Sequence, residues 1–301
     1  MFNSFIGLLK EKDVTFKENI KLSSISSIRI GGKARIIVYP KTEQELLYAI
    51  EAAQSLRIKY RVVGNMTNIL PPDNDYCGAI IKTELLNRYT VFGNKVTAEC
   101  GCITKKLLAN LIKYGLGGFE ELFMIPGSVG AMCCINAGAH GRQMEDIFVE
   151  ARFLNTQNGE ILHLDKEGMR FGYRTSFAKD KNYVLMSADL KFQEISAESA
   201  KLRIQTYSKL RRQNQPTDKY SLGSFYKRYN GIGLGYYIDK SGLKGTCVNG
   251  AAVSCKHAGF IINEGGATEA DVLKLDEIIK SKILEDYGFV PEWEVERLWE
   301  Y

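Results

Sequence analysis

The stretch YSLGSFYKR, residues 220–228, sets Ser224 between a glycine and an aromatic residue, with two cations close behind. To attack as a nucleophile Ser224 would need a base, and the chain has only three histidines, His140, His163 and His257. No G-x-S-x-G elbow is present, so a Ser/His/Asp triad is not supported. Lys227 and Arg228 have the charge to meet phosphates. A second candidate is Arg174, in MRFGYRTSFAK at 169–179. Its aromatic and hydroxyl neighbours can hold a guanidinium rigid for a bidentate grip on a carboxylate; a surface cation is the plain alternative. His257, in VSCKHAGFIINEGG at 253–266, is either a ligand contact or a satisfied structural histidine.

Two further segments offer backbone rather than side-chain chemistry. In VVGNMTNIL, Gly64, Asn65, Met66, Thr67 and Asn68 follow a β-rich run directly. Small polar residues there can expose several N–H groups and cradle a diphosphate without side-chain charge; alone, the segment also reads as a turn. In IPGSVGAMCCINAGAHG, glycines at 127, 130, 138 and 141 allow close approach of a flat or phosphorylated ligand. This is not G-x-G-x-x-G in a βαβ unit, so a Rossmann site is not supported. Cofactor contact fits the density of small residues better than a packed loop with a buried strand.

The whole chain bounds these choices. Its 301 residues suffice for two or three domains, with 45% hydrophobic and 25% charged residues. The formal net charge is +5, with the cations spread along the chain. That suits a small anionic ligand better than nucleic acid. No apolar run approaches the roughly 20 residues of a membrane span. The first residues, MFNSFIGLLKEKDV, lack a positive n-region, so a cytoplasmic protein is expected. Seven cysteines without a C-x-x-C pair point to reduced thiols and no metal site.

The elements that must position these residues are partly legible. Thr42 and Glu45 form a capping-box signal, followed by the stripe Leu46, Leu47, Ile50, Ala53 and Leu56. Strands are expected at 60–63 and 78–82. A helix is expected over 104–114, with Leu107, Leu108, Leu111 and Ile112 on one face and Gly115 as its stop. Residues 148–190 read as a strand-rich meander and 196–212 as a polar helix broken at Gln215-Pro216. A strong helix runs from Thr268 to Tyr287, ended by Gly288. The expectation is an α+β protein divided near residue 195.

Taken in order, the segments resemble the UDP-N-acetylenolpyruvoylglucosamine reductases, flavin enzymes of peptidoglycan precursor synthesis. The resemblance rests on IGG (30–32), GNMTN (64–68), MIPGSVGA…NAGAHG (124–141), YRTS (173–176), QP (215–216), GSFYKR (223–228), GLKG (242–245), VSCKHAGFIIN (253–263) and YGFVPEWEV (287–295). It spans nearly the whole chain, in the compact form seen in Gram-positive bacteria. It implies an FAD-binding fold of the vanillyl-alcohol-oxidase type over 1–195, in subdomains of about 1–84 and 85–195, and a substrate-binding domain over 196–301. FAD contacts would come from Gly64, Asn65, Met66, Thr67, Asn68, Pro126, Gly127, Ser128, Asn136, Ala137, Gly138 and Gly141. NADPH would be the reductant and UDP-N-acetylglucosamine enolpyruvate the substrate, in a monomer or weak dimer.

The reaction the resemblance implies adds hydride to the β-carbon of an enol ether conjugated with a carboxylate. The α-carbon then needs a proton from a donor within hydrogen-bond reach. Ser224 would give it, Arg174 would support charge on the carboxylate, and Glu294 would be the family's C-terminal glutamate, with Glu292 and Glu296 as neighbouring registers. Tyr173, Lys227, Arg228 and His257 would contact substrate. The chain departs from the family pattern at Met66 and Met124, where glycines are usual, and at Thr67, Ala131-Met132, Tyr229 and Glu296. An alternative is therefore a flavin-deficient paralogue that binds a nucleotide sugar. A third reading, a different flavin oxidase with FAD tethered at His140, leaves Ser224, Arg174 and Glu294 unexplained.

Overall fold

The computed structural model describes residues 1–298. The chain forms two compact units, each assembled from three stretches. Of the described residues, the first comprises 1–17, 36–65 and 78–210; the second comprises 18–35, 66–77 and 211–298.

The helices are α1 (Phe2–Glu11), α2 (Glu43–Ser55), α3 (Thr104–Leu111), α4 (Val129–Cys134), α5 (Ala197–Asn214), α6 (Leu234–Lys240) and α7 (Glu269–Tyr287). α2 begins as expected, because the Thr42 hydroxyl accepts from Glu45 N–H. The return bond differs from a capping box: Glu45 accepts from the N–H of Lys41, one residue earlier than the cap. Leu46, Ala49, Ile50 and Ala53 then turn one apolar stripe inward. Arg152 on a neighbouring strand grips Glu43 with two parallel bonds of 3.0 Å, the fork geometry that fixes orientation as well as distance.

In the first unit the strand Tyr60–Val63 pairs in parallel with Tyr76–Lys82, Val62 opposite Ile81. The expected meander supplies three strands of a five-stranded antiparallel sheet, in the order Ile161–Asp165, Phe148–Asn155, Tyr183–Lys191, Lys95–Glu99, Tyr89–Phe92, the last two coming from earlier in the chain. Its inward residues, among them Val96, Ala98, Ala151, Phe153 and Ala188, join the α2 and α3 stripes in one core. One element departs from expectation. Residues 129–134 are the short helix α4 rather than loop or strand. Six residues, mostly small and none charged, give no helical period to read.

In the second unit, Tyr220–Ser224, Phe260–Asn263, Ala251–Val253 and Cys247–Val248 form an antiparallel sheet. α7 packs Val272, Leu275, Ile279 and Ile283, all fully buried, into the same core as Leu222, Phe225 and Ile261. Thr268 and Asp271 cap it reciprocally, and Gly288 ends it at φ 75°. Among the described residues no helix is long and apolar enough to cross a membrane.

Candidate active site

In the first unit the parallel strand ends at Val63, and the next residue, Gly64, lies against Ser128. A Cβ on Gly64 would stand 2.8 Å from the Ser128 hydroxyl, closer than a carbon tolerates without displacement. Ser128 is 1% exposed, yet its hydroxyl has no hydrogen-bond partner among the described residues; nor does the buried Oγ1 of Thr104. The two residues adjoin, since Thr104 N–H donates to the carbonyl of Gly127 at 3.0 Å. Val129 and Gly130 donate to the carbonyls of Cys102 and Cys100, both at 2.9 Å, which fixes the start of α4. Met132 packs beneath Gly127. Leaving a buried hydroxyl unpaired costs about 1–3 kcal/mol. Two of them beside a glycine-lined surface fit a ligand that brings oxygen acceptors close to the backbone, as the diphosphate of a flavin dinucleotide does.

The same unit holds Arg174. Gly172 and Thr175 exchange backbone bonds of 3.0 and 3.3 Å, so Tyr173 and Arg174 form the tip of a two-residue hairpin. Arg174 adopts φ 55°, an uncommon state for a non-glycine residue. The buried Asn136 side chain donates to Gly172 O at 3.3 Å and accepts from Glu145 N–H at 3.1 Å. The Arg174 guanidinium reaches Gly138 O at 3.4 Å and lies 5.2 Å from the Tyr173 ring. The glycine-rich segment and the arginine thus share one scaffold. His140 lies at φ 52° with its ring 4.9 Å from that of Tyr207.

In the second unit Ser224 ends its strand opposite Phe260, after an irregularity that follows Ser221. Gly223 takes φ 84°, which a side chain would disfavour. The C-terminal run lies alongside. Glu294 N–H donates to Phe225 O at 2.9 Å, Lys227 N–H donates to Glu292 O at 2.9 Å, and Tyr226 bridges Trp293. Asn68 donates its amide to Glu294 O at 3.1 Å, and residues 296–297 pair in parallel with 69–70. Glu294 is therefore tied to the residue after Ser224 and to the end of the GNMTN segment. Glu292 instead pairs with Lys227 at 3.2 Å, its side chain 75% exposed. Arg228 is exposed.

His257 packs edge-on to Phe260, and its Nδ1 accepts from Gly259 N–H at 3.1 Å. Burial, reinforced by Lys244, pushes its pKa below the ordinary histidine value. It stands as a neutral ring bracing the loop whose Gly259 carbonyl accepts from Phe225 N–H at 2.8 Å.

The two methionines that stand where the resemblance expects glycine behave differently from each other. Met66 is left-handed at φ 52°, whereas Met124 is not among the residues of positive φ. Sequence reasoning passed over Thr104, which read as a helix start, and Asp276, whose signal was a carboxylate in the apolar stripe of α7. The 550 Å³ depression lined by Asp165, Glu167, Gly168, Arg170 and Phe177 contains none of the expected site residues.

The fold and its glycine-lined surface define a flavoprotein: residues 34–165 match the family described as "FAD binding domain". Residues 215–298 match "UDP-N-acetylenolpyruvoylglucosamine reductase, C-terminal domain". Relatives of that name from Caldicellulosiruptor bescii and Clostridioides difficile are 37% and 35% identical, covering 97% and 100% of this chain and 94% and 98% of theirs. The chain belongs to the UDP-N-acetylenolpyruvoylglucosamine reductase family. The crystal structure of the Thermus caldophilus reductase superimposes with a TM-score of 0.79 at 27% identity, over 94% of this chain and 98% of that one. Alkyldihydroxyacetonephosphate synthase, at 16% identity and TM-score 0.50 over 64% of this chain and 41% of its own, shares the fold alone. The expected α+β class with an FAD-binding fold of the vanillyl-alcohol-oxidase type is borne out.

Proposed function

We propose that this chain is an FAD-dependent reductase that converts UDP-N-acetylglucosamine enolpyruvate to UDP-N-acetylmuramate with NADPH as reductant. The observation that carries the proton-transfer part is the tie between Glu294 and Phe225, which brings a carboxylate-bearing run beside Ser224. Bound FAD supplies the relay of two electrons from the nicotinamide to the enol-ether double bond. Gly64 to Asn68, Pro126 to Ser128, Asn136 to Gly138 and Gly141 would hold it, with Thr104 and Ser128 supplying hydroxyls. Arg174 and Tyr173 engage the substrate carboxylate. Preorganised donors there stabilise charge as it develops.

Ser224 delivers the proton to the α-carbon. A serine hydroxyl stays neutral until a strong base stands beside it, so the proton is held until the carbanion forms. Glu294 acts with it as the family's C-terminal glutamate. Lys227 and Arg228 meet the diphosphate, and His257 braces the same region. One NADPH and one proton are consumed per product. Residues 1–195 serve the flavin and 196–301 the substrate, in a monomer or weak dimer that binds no nucleic acid. A cytoplasmic location is supported by the seven free thiols.

The test is NADPH oxidation that depends on the enolpyruvyl nucleotide sugar. Ser224→Ala should leave flavin reduction by NADPH within about twofold and slow substrate reduction roughly 10²- to 10⁴-fold, the range of a lost general acid. Equal loss of both half-reactions would make the serine structural.

A further inference from the structure

We infer that Asp276, on α7, is the positioning residue that sets the register of the C-terminal run, and with it Glu294, against Ser224. The inference rests on the reading that Ser224 and Glu294 serve the proton-transfer step. Asp276 is 5% exposed and accepts through one oxygen, Oδ1, from the Tyr226 hydroxyl at 2.6 Å and from Trp293 Nε1 at 2.8 Å. Its other oxygen pairs with Lys280 at 2.9 Å. Tyr226 and Trp293 face each other across the bridge between the two segments. One buried carboxylate therefore holds both sides of the pairing.

The pairing needs such a pin. The run carries glutamates at 292, 294 and 296, so a slip of two residues would put a different carboxylate beside Phe225 with the backbone pattern unchanged. Backbone bonds do not tell these registers apart. Trp293 does, because it is the residue of the pairing run whose indole N–H reaches the Asp276 oxygen. Its ring is held on further sides by Phe225, with centroids 4.8 Å apart, by Lys280 at 5.3 Å and by Arg297 at 5.6 Å. Phe225 follows Ser224 directly. The anchor itself is rigid, since the turns of α7 on either side of Asp276 bury Val272, Leu275 and Ile279 completely. Burial and the neighbouring Asp276 charge also keep Tyr226 protonated, as a donor must be.

The holoenzyme tests this by separating its half-reactions in stopped flow. Asp276→Ala should leave flavin reduction by NADPH within about twofold, slow flavin reoxidation by the enolpyruvyl substrate roughly 10²-fold, the scale of a misplaced catalytic group, and raise the solvent deuterium isotope effect on that step. Asp276→Asn keeps an acceptor oxygen for both donors and should recover most of the rate. Should Asp276→Ala fail to fold, Trp293→Phe and Tyr226→Phe remove one donor each and should show the same selective slowing on a smaller scale. Wild-type reoxidation in all three of these variants, equal loss of both half-reactions, or no recovery in Asp276→Asn overturns the assignment. Ser224→Ala keeps the two readings distinct. If it lacks a selective defect, the proton-donor reading itself has failed; if its defect stands while the Asp276 series is silent, only the positioning role has.

Discussion

The two units hold their candidate catalytic groups by different means. In the first, Arg174 stands at the tip of a two-residue hairpin, in a left-handed conformation, fixed from outside by the Asn136 side chain and the Gly138 carbonyl. In the second, Ser224 and Glu294 lie on segments joined by main-chain bonds through Phe225 and Lys227. A main-chain ladder survives most side-chain changes, whereas this hairpin, though closed by its own backbone bonds, is braced from outside by the Asn136 amide. The arginine is thus the more fragile placement.

The largest expected change in stability follows from that contrast. Asn136→Ala removes a donor to Gly172 and an acceptor for Glu145, at a residue whose own φ is 41°. Urea unfolding should show a loss of about 2–3 kcal/mol from the lost bonds and the left-handed backbone. The KM for the enolpyruvyl substrate should rise roughly tenfold as Arg174 loosens, the equivalent of one hydrogen bond to a charged group. Asn68→Ala, which removes only one bond to the Glu294 carbonyl, should cost about 1 kcal/mol or less. If the two variants lose equal stability, the contrast is void.

A smaller effect is expected at Met66. Its left-handed backbone costs about 1 kcal/mol, which argues for glycine. Its side chain is 2% exposed, and burial of a methionine is worth about 1.5–3 kcal/mol. Burial wins, so Met66→Gly should lower stability by about 1 kcal/mol rather than raise it. A more stable glycine variant would show that strain dominates.

The smallest effect concerns pH. The pKa of His257 is lowered in the folded protein, so the folded state favours the neutral ring. Its contribution is complete above the ordinary histidine pKa of about 6.5 and is lost as pH falls below that toward the folded value. Protonation would also occupy the Nδ1 that accepts from Gly259. The difference in melting temperature between wild type and His257→Asn should therefore narrow from pH 8 to pH 5. A constant difference would remove His257 from the pH response.

The parts of this molecule that were legible in sequence are those with local signatures. Thr268 marks a helix start by its residue type, and Thr42 with Glu45 does so through capping groups three residues apart. Gly115 and Gly288 mark stops because left-handed φ selects glycine. α4 was hidden because VGAMCC carries no apolar period. Site residues whose order matches the family pattern were also accessible. The features that position them were not. Tyr226 and Asp276 are 50 residues apart in sequence, Asn68 and Glu294 are 226 apart, and nothing local links either pair. Met124 illustrates the converse, since a methionine where the resemblance expects glycine brought no left-handed backbone with it.

The parallel pairing of residues 296–297 with 69–70 has a consequence for biosynthesis. The second unit draws on residues 18–35, 66–77 and 211 onward. Its early stretches leave the ribosome long before their partners exist. Ile28, Ile30 and Leu70, apolar residues of that unit's core, must wait in the nascent chain for α7 and the run that follows it. At translation speeds of about 5–20 residues per second, that wait lasts on the order of ten seconds or more. During it these side chains are the surfaces a chaperone would be called on to shield.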